Sequence, residues 1–172
     1  MDFTYELKAK AKGYAAVCGV DEAGRGPLAG PVYAAAVILP ENCEIEGLND
    51  SKKLTDKKRR ELFPIICEKA IAYGIAMVDE KTIDEINILQ ATYLAMKKAV
   101  EGLDIPADYA LIDGNRMPPL AIDGETIIKG DANSPSIAAA SILAKVSRDR
   151  FMLEIDKEYP EYGFGKHKGY GT

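Results

Sequence analysis

The sequence predicts a mixed α/β domain, with helices packed on a central five-stranded sheet built as an antiparallel meander followed by parallel strands. Two β-rich apolar runs, Ala15–Val20 and residues 31–39, come early and are separated by a Gly/Pro break. A third run, Ala72–Val78, follows one helical stretch. From there strand-length apolar runs alternate with helical patterns, the order that places helices against a sheet. The 172 residues suit one domain. A chain of this size buries roughly 70% of its unfolded surface and needs no covalent staple.

Residues 3–12 read as a short helix with Lys8, Lys10 and Lys12 outward. The strand Ala15–Val20 is stopped by glycines, and the run 31–39 (PVYAAAVIL) forms the second strand. A polar connection, Pro40–Asp50, leads to a helix over Leu54–Ala70 with Thr55 as its N-cap. Pro64 should kink that helix or move its start. Ile83–Val100 is the clearest helix: Ile86, Leu89, Tyr93, Met96 and Val100 recur at three and four, and Gly102 sits just past the end. Tyr93 on that stripe reads as core. Tyr109–Ile112 and Glu125–Lys129 are two short strands, ending at Asp113-Gly114 and Gly130-Asp131. Ser134-Pro135 is an N-cap followed by proline at the first helical position, opening a helix over Ser136–Lys157. Its small residues (SIAAASILA) suit close packing on a sheet. The glycine- and tyrosine-rich tail, YPEYGFGKHKGYGT, should be irregular.

Composition removes several classes of function. At 47% apolar and 28% charged residues the chain is not disordered. No apolar run approaches membrane-spanning length, and the N-terminus lacks a signal-peptide core, so a cytoplasmic protein without a membrane partner is expected. Cys18, Cys43 and Cys67 are odd in number and form no CxxC pair, which disfavours disulfides and zinc. Cys18, in a buried strand, reads as a small hydrophobe. The single histidine, His167, rules out multi-histidine metal sites. A net charge of -5 disfavours coating nucleic acid through bulk charge but leaves room for a local basic groove.

Four acids are not explained as solvated surface. Asp21 and Glu22 follow directly on the strand AAVCGV, Asp113 ends YALI, and Asp131 ends TIIKG and opens a helix. A single Asp beside Gly is most often a turn former. Together, acids at the ends of buried strands are costly unless paired, and strand ends are where ligands collect in α/β sheets. If their strands are neighbours, the four converge on an oxygen-only site suited to Mg²⁺ or Mn²⁺. Two such ions roughly 4 Å apart stabilise the attacking and leaving oxygens of a phosphodiester displacement.

GRGPLAG (24–30) lacks the spacing of a dinucleotide fingerprint and the GK[ST] ending of a triphosphate loop. What remains is Gly24 and Gly26 around Arg25, either a close backbone approach to a phosphate-bearing ligand or a tight turn with an exposed arginine.

The block VDEAGRGPLAGPVYAAAVIL resembles the opening signature of the type 2 ribonucleases H, the ribonuclease HII family. The likeness continues through NDSKKL (49–54), ALIDGN (110–115), KGDANSPSIAAASILAKVSRD (129–149) and YGFGKHKGYGT (162–172), in the family's order and across nearly the whole chain. The resemblance implies an RNase H-like fold and a site of four carboxylates, carried over onto Asp21, Glu22, Asp113 and Asp131, with two divalent ions, Mg²⁺ or Mn²⁺. Asp21 is expected to bridge them. It implies an endonuclease that hydrolyses the RNA strand of RNA–DNA hybrids. It also implies nicking of duplex DNA 5′ to an embedded ribonucleotide, leaving 3′-hydroxyl and 5′-phosphate ends, with roles in ribonucleotide and RNA-primer removal.

The backbone of Gly24, Arg25 and Gly26 would grip the 2′-OH, the group that tells RNA from DNA. Tyr170 matches the tyrosine that stacks on the adjoining deoxyribose. Lys52, Lys53, Lys166 and Lys168 are expected to contact phosphates, with His167 beside them. The basic run Lys57–Arg60 is at least as well read as a solvated helix face. Asn87 is better read as a helix-surface amide than as a contact to the non-cleaved strand. One catalytic domain over residues 1–172 is expected to act as a monomer, its tail from about residue 160 touching substrate. Further C-terminal helical sequence would follow Thr172 in the family pattern, and Gly165 stands where alanine is expected.

Two other classes compete. A metal-dependent DNA nuclease or junction resolvase would keep the four acids but has no use for the GRG grip or Tyr170. A non-catalytic nucleic-acid-binding module would not need acids that repel phosphate.

Overall fold

The computed structural model describes residues 1–24, 30–48 and 54–158. After a short helix, α1 (Thr4–Ala11), the chain enters the sheet as β1 (Val17–Ala23) and turns back antiparallel as β2 (Val32–Ile38). Helix α2 (Asp56–Lys69) leads to β3 (Ala72–Val78), antiparallel to β2. Helix α3 (Glu80–Glu101) then crosses to β4 (Tyr109–Asp113), which lies parallel to β1. Strand β5 (Asp123–Ile127) pairs parallel with β4. A four-residue helix, α4 (Gly130–Asn133), precedes the long α5 (Pro135–Glu158). The strand order is β3-β2-β1-β4-β5, the mixed five-stranded sheet that the sequence predicts.

The two faces of the sheet are separate cores. Cys18 and Val20 of β1 and Ala110 and Ile112 of β4 point to the α3 side, against Ala91, Ala95 and Ala99. Val17 of β1 and Tyr109 and Leu111 of β4 face the other way, towards Ile137 of α5. Leu62 and Ile66 of α2 pack with Ala139 and Leu143 of α5 on that second face. Ala34, Ala35 and Ala36 of β2 are fully buried, and their small side chains let α3 and α5 approach from both sides. The closest approach is at Gly19. A Cβ there would stand 2.2 Å from Ser136 C and 2.3 Å from Ile137 N, so no larger residue fits while α5 keeps its place.

Several boundaries differ from the sequence-based expectation. β1 runs to Ala23 rather than stopping at Val20, because its ladder with β2 continues to Ala23↔Tyr33. Asp21 and Glu22 are therefore inside the strand. β5 covers 123–127 rather than 125–129: its register runs from Tyr109↔Asp123 to Asp113↔Ile127, and Ile128 is turned out, 71% exposed. Pro64 lies on the exposed side of α2 and does not move its start, which Thr55 fixes by accepting the Lys58 N–H at 3.1 Å.

The helix expected over 83–100 is two segments joined at Asn87 (φ 71°, ψ 168°). Asn87 Oδ1 accepts the Gln90 N–H at 3.0 Å and caps the second segment. The buried face is Ala91, Thr92, Ala95, Met96 and Ala99. Tyr93, expected in the core, is half-buried beside a surface hollow with Leu94 and Pro119. Cys18 is buried as expected, and burial pushes its thiol up to about 12. Among the described residues no helix is long and apolar enough to cross a membrane.

Gly19→Ala should cost about 3 kcal/mol or more, because the clash is with backbone on both sides and neither can yield by a rotamer change. Urea unfolding of the variant reads this directly; an unchanged midpoint would contradict the described approach of α5 to β1.

Candidate active site

Strand alternation decides where the acids point. On β1, residues 17, 19, 21 and 23 face α5, so Asp21 faces it too, and Glu22 faces the α3 side. On β4, Tyr109 and Leu111 face α5, so Asp113 lies on the same side as Asp21. The parallel register Val20↔Ile112 sets the two aspartates side by side at the carboxyl ends of adjacent strands. Ala35 is the residue opposite Asp21 on β2, and its methyl leaves the carboxyl room.

Asp131 arrives by another route. Gly130 packs against β4, where a Cβ would stand 3.1 Å from Asp113 Oδ1 and 2.6 Å from Ile137 Cδ1. The next backbone amide, Asp131 N–H, donates to Asp113 Oδ1 at 3.3 Å. Asp131 lies in the first turn of a short helix of its own, α4, in keeping with its expected place at a helix start. Pro135 starts α5, as the sequence predicts, and Ser134 caps it by accepting the Ile137 N–H at 3.2 Å. Glu6 of α1 reaches the same point. Its Oε2 accepts from Ser134 Oγ at 2.9 Å and from the Ser136 N–H at 3.1 Å. A carboxylate at a helix N-terminus meets the positive end of the backbone dipole.

The electrostatics are adverse as the group stands. Asp21 is only 5% exposed. Burial first, then the negative charges of Glu22 and Asp113 and a side-chain hydrogen bond with Glu22, hold its carboxyl well above the usual carboxylate range. The Glu22 N–H, donating to Asp21 Oδ1 at 2.8 Å, offsets this in part. Among the described residues no group of three or more His, Cys, Asp or Glu side chains is drawn together closely enough to hold a metal ion. The donor chemistry nonetheless fits a hard divalent cation: oxygen donors only, one of them buried where added positive charge would remove the penalty.

Of the other predicted contacts, Gly24 follows directly on β1 with φ 103°. Arg25, Gly26, Lys52, Lys53, Lys166, His167, Lys168 and Tyr170 lie outside the described residues. In the basic run, Arg59 is half-buried and turns back on its own helix, donating to Leu54 O at 2.8 Å and Asp56 Oδ1 at 2.6 Å. Asn87 is exposed and keeps its side-chain oxygen for the helix cap, the surface-amide reading.

Sequence reasoning missed Glu6 and Arg148. Arg148 is 2% exposed and donates from Nε to Pro31 O at 3.0 Å. The stretch ILAKVSR holds two cations, and nothing in it sets Arg148 apart from Lys145.

A sheet with this order, flanked by helices and carrying grouped acids at the ends of its central strands, defines the class: a nuclease-type hydrolase with the RNase H fold. The chain belongs to the Ribonuclease HII family, the type 2 ribonucleases H, whose family model matches residues 18–172. It is 60% identical over 170 residues to a Ribonuclease HII of Caldicellulosiruptor bescii, covering 99% of this chain and 82% of that protein. Among solved structures it is similar to the ribonuclease H2 of Pyrococcus horikoshii OT3 (TM-score 0.75, 32% identity, 92% of this chain and 82% of that one). It is also similar to RNase HII of Archaeoglobus fulgidus, solved in complex with PCNA (TM-score 0.69, 26% identity, 92% and 83%).

The raised Asp21 carboxyl gives a signed pH dependence in metal-free protein. The folded state binds this proton more tightly than the unfolded state, so stability is lost as pH rises from the ordinary value of 3.8 through the folded value. Asp21→Asn should therefore melt higher than the parent near neutral pH in EDTA, and the gap should close as the pH falls towards 3.8. A gap that does not vary with pH would exclude Asp21 as its source.

Proposed function

We propose that the chain is a metal-dependent endonuclease that hydrolyses the RNA strand of RNA–DNA hybrids. It also nicks duplex DNA on the 5′ side of an embedded ribonucleotide, leaving 3′-hydroxyl and 5′-phosphate ends. The observation that carries this reading is the meeting of Asp21 and Asp113 on one face of adjacent strand ends, with Glu22 and the Asp131 turn beside them. Asp21, Glu22, Asp113 and Asp131 hold two divalent ions, Mg²⁺ or Mn²⁺. When bound, such ions supply a water activated for attack and neutralise the departing 3′-oxygen. The acids keep the ions in place, so no histidine base is called for, in keeping with a chain that contains one histidine.

The backbone around Gly24, continued by Arg25 and Gly26, takes the 2′-OH. Its place two residues beyond Glu22 on the same chain path supports this, since selection and chemistry then share one strand end. Lys52, Lys53, Lys166 and Lys168 contact phosphates, and Tyr170 stacks on the deoxyribose that follows the ribonucleotide. One catalytic domain acts here, with its tail from about residue 160 against the duplex. The four acids come from one chain, which supports action as a monomer, and the Archaeoglobus complex supports a protein partner as well. Removal of ribonucleotides and RNA primers from DNA is the corresponding role.

The test is a DNA duplex carrying one ribonucleotide, with an all-DNA duplex beside it, each incubated with Mg²⁺ and with Mn²⁺. A single nick 5′ to the ribonucleotide is expected, absent from the all-DNA control and abolished by EDTA. Asp21→Asn should lower the rate by more than about 100-fold, since even the groups behind metal ligands cost 10–100-fold. Hybrid binding should stay within a few-fold of the parent. Normal turnover by Asp21→Asn would overturn the site, and cutting of the all-DNA duplex would favour a general DNA nuclease.

A further inference from the structure

Arg148 of α5 is one of the largest side chains buried completely in the protein. An arginine is buried only where its donors meet acceptors, and this one meets backbone. Its Nε donates to Pro31 O, the residue just before β2. The same guanidinium packs against two glycines at the ends of β1 and β2. A Cβ on Gly24 would stand 2.6 Å from Arg148 Nε and 2.5 Å from Pro31 O. A Cβ on Gly30 would stand 2.6 Å from Arg148 Nη2. Both glycines have positive φ, +103° and +99°, so each lacks a side chain for two reasons at once: the conformation and the space. The planar fork is what allows this packing, and a flexible ammonium would not reproduce it.

We infer that Arg148 is the positioning residue for Gly24: its buried guanidinium ties the exit of β1 to the entry of β2 and so sets the backbone that selects a ribonucleotide. The inference rests on the 2′-OH role proposed for Gly24. It adds a side chain 124 positions away in sequence to the determinants of that selection. Arg148 acts through backbone and stands apart from the chemistry of the four acids.

The test compares the parent with Arg148→Met, Arg148→Lys, Gly24→Ala and the Gly24→Ala/Arg148→Met double variant. Each is measured for kcat/KM on the single-ribonucleotide duplex, for Mn²⁺ affinity without nucleic acid, and for thermal melting. Arg148→Met should lose about 10–100-fold in kcat/KM, the range seen when a supporting group is removed, with Mn²⁺ affinity within about threefold. Arg148→Lys should recover part of the loss. Gly24→Ala should cost at least about threefold less in the Arg148→Met background than in the parent, because the guanidinium it strikes is gone. The same non-additivity should appear in melting, which requires no cleavage.

Parental kinetics in Arg148→Met would overturn the assignment, as would additive effects or a loss of cleavage that merely follows a loss of Mn²⁺ affinity. Failure of both Arg148 variants to fold would overturn it too, since Arg148 would then be a residue of the core alone. A parent protein that does not cut the single-ribonucleotide duplex refutes the proposed function instead, and the melting cycle still decides the Arg148–Gly24 coupling.

Discussion

The close contact between α5 and β1 at Gly19 is the constraint on which the rest of the molecule depends. With a hydrogen in place of a side chain at Gly19, the Ser136–Ile137 backbone rests directly on the strand. That fixes the start of α5, and with it Ser134 and the short turn carrying Asp131. It also lays Ala138, Ala139 and Leu143 into the core shared with β2 and α2. Farther along the same helix, Arg148 comes to lie under the ends of β1 and β2. One contact thus sets both the turn whose Asp131 N–H meets Asp113 and the cation that supports the strand ends.

The fold holds the acids against their own repulsion. Asp21 is buried beside two other carboxylates, and its carboxyl is pushed up in consequence. Such an arrangement costs stability and is tolerated where function calls for it. The surroundings offset part of the cost with backbone donors: the Glu22 N–H to Asp21 and the Asp131 N–H to Asp113. Both donors are parts of the chain that also supply the next acid in the group. The support and the site are therefore built from the same few residues.

Much of this was legible in the sequence, for physical reasons that differ by element. β3 was read to the residue because its apolar run, Ala72–Val78, coincides with the stretch that pairs with β2. Thr55, Ser134 and Pro135 announced their helices through capping that is local and side-chain driven. Asp21, Glu22, Asp113 and Asp131 were visible as acids next to apolar runs, yet the juxtaposition of Asp21 and Asp113 depended on strand order, which no local pattern encodes. The end of β1 was misplaced because its last residues are held by pairing with β2, a partner rather than a propensity. The break at Asn87 was hidden by an apolar spacing that looks continuous across it. Arg148 stayed unread because burial of a cation depends on which backbone carbonyl it faces. Glu6 stayed unread because its partners, Ser134 and Ser136, are about 130 positions away.

The length of α5 between Pro135 and Arg148 carries a consequence of its own. Thirteen residues at about 1.5 Å each make a rigid spacer of roughly 20 Å with its two working ends on different parts of the sheet. An insertion or deletion of one residue there would turn one end about 100° relative to the other and slide it by about 1.5 Å. Arg148 would then face away from Gly24, or Asp131 away from Asp113. The residue count of this stretch is therefore held fixed by geometry.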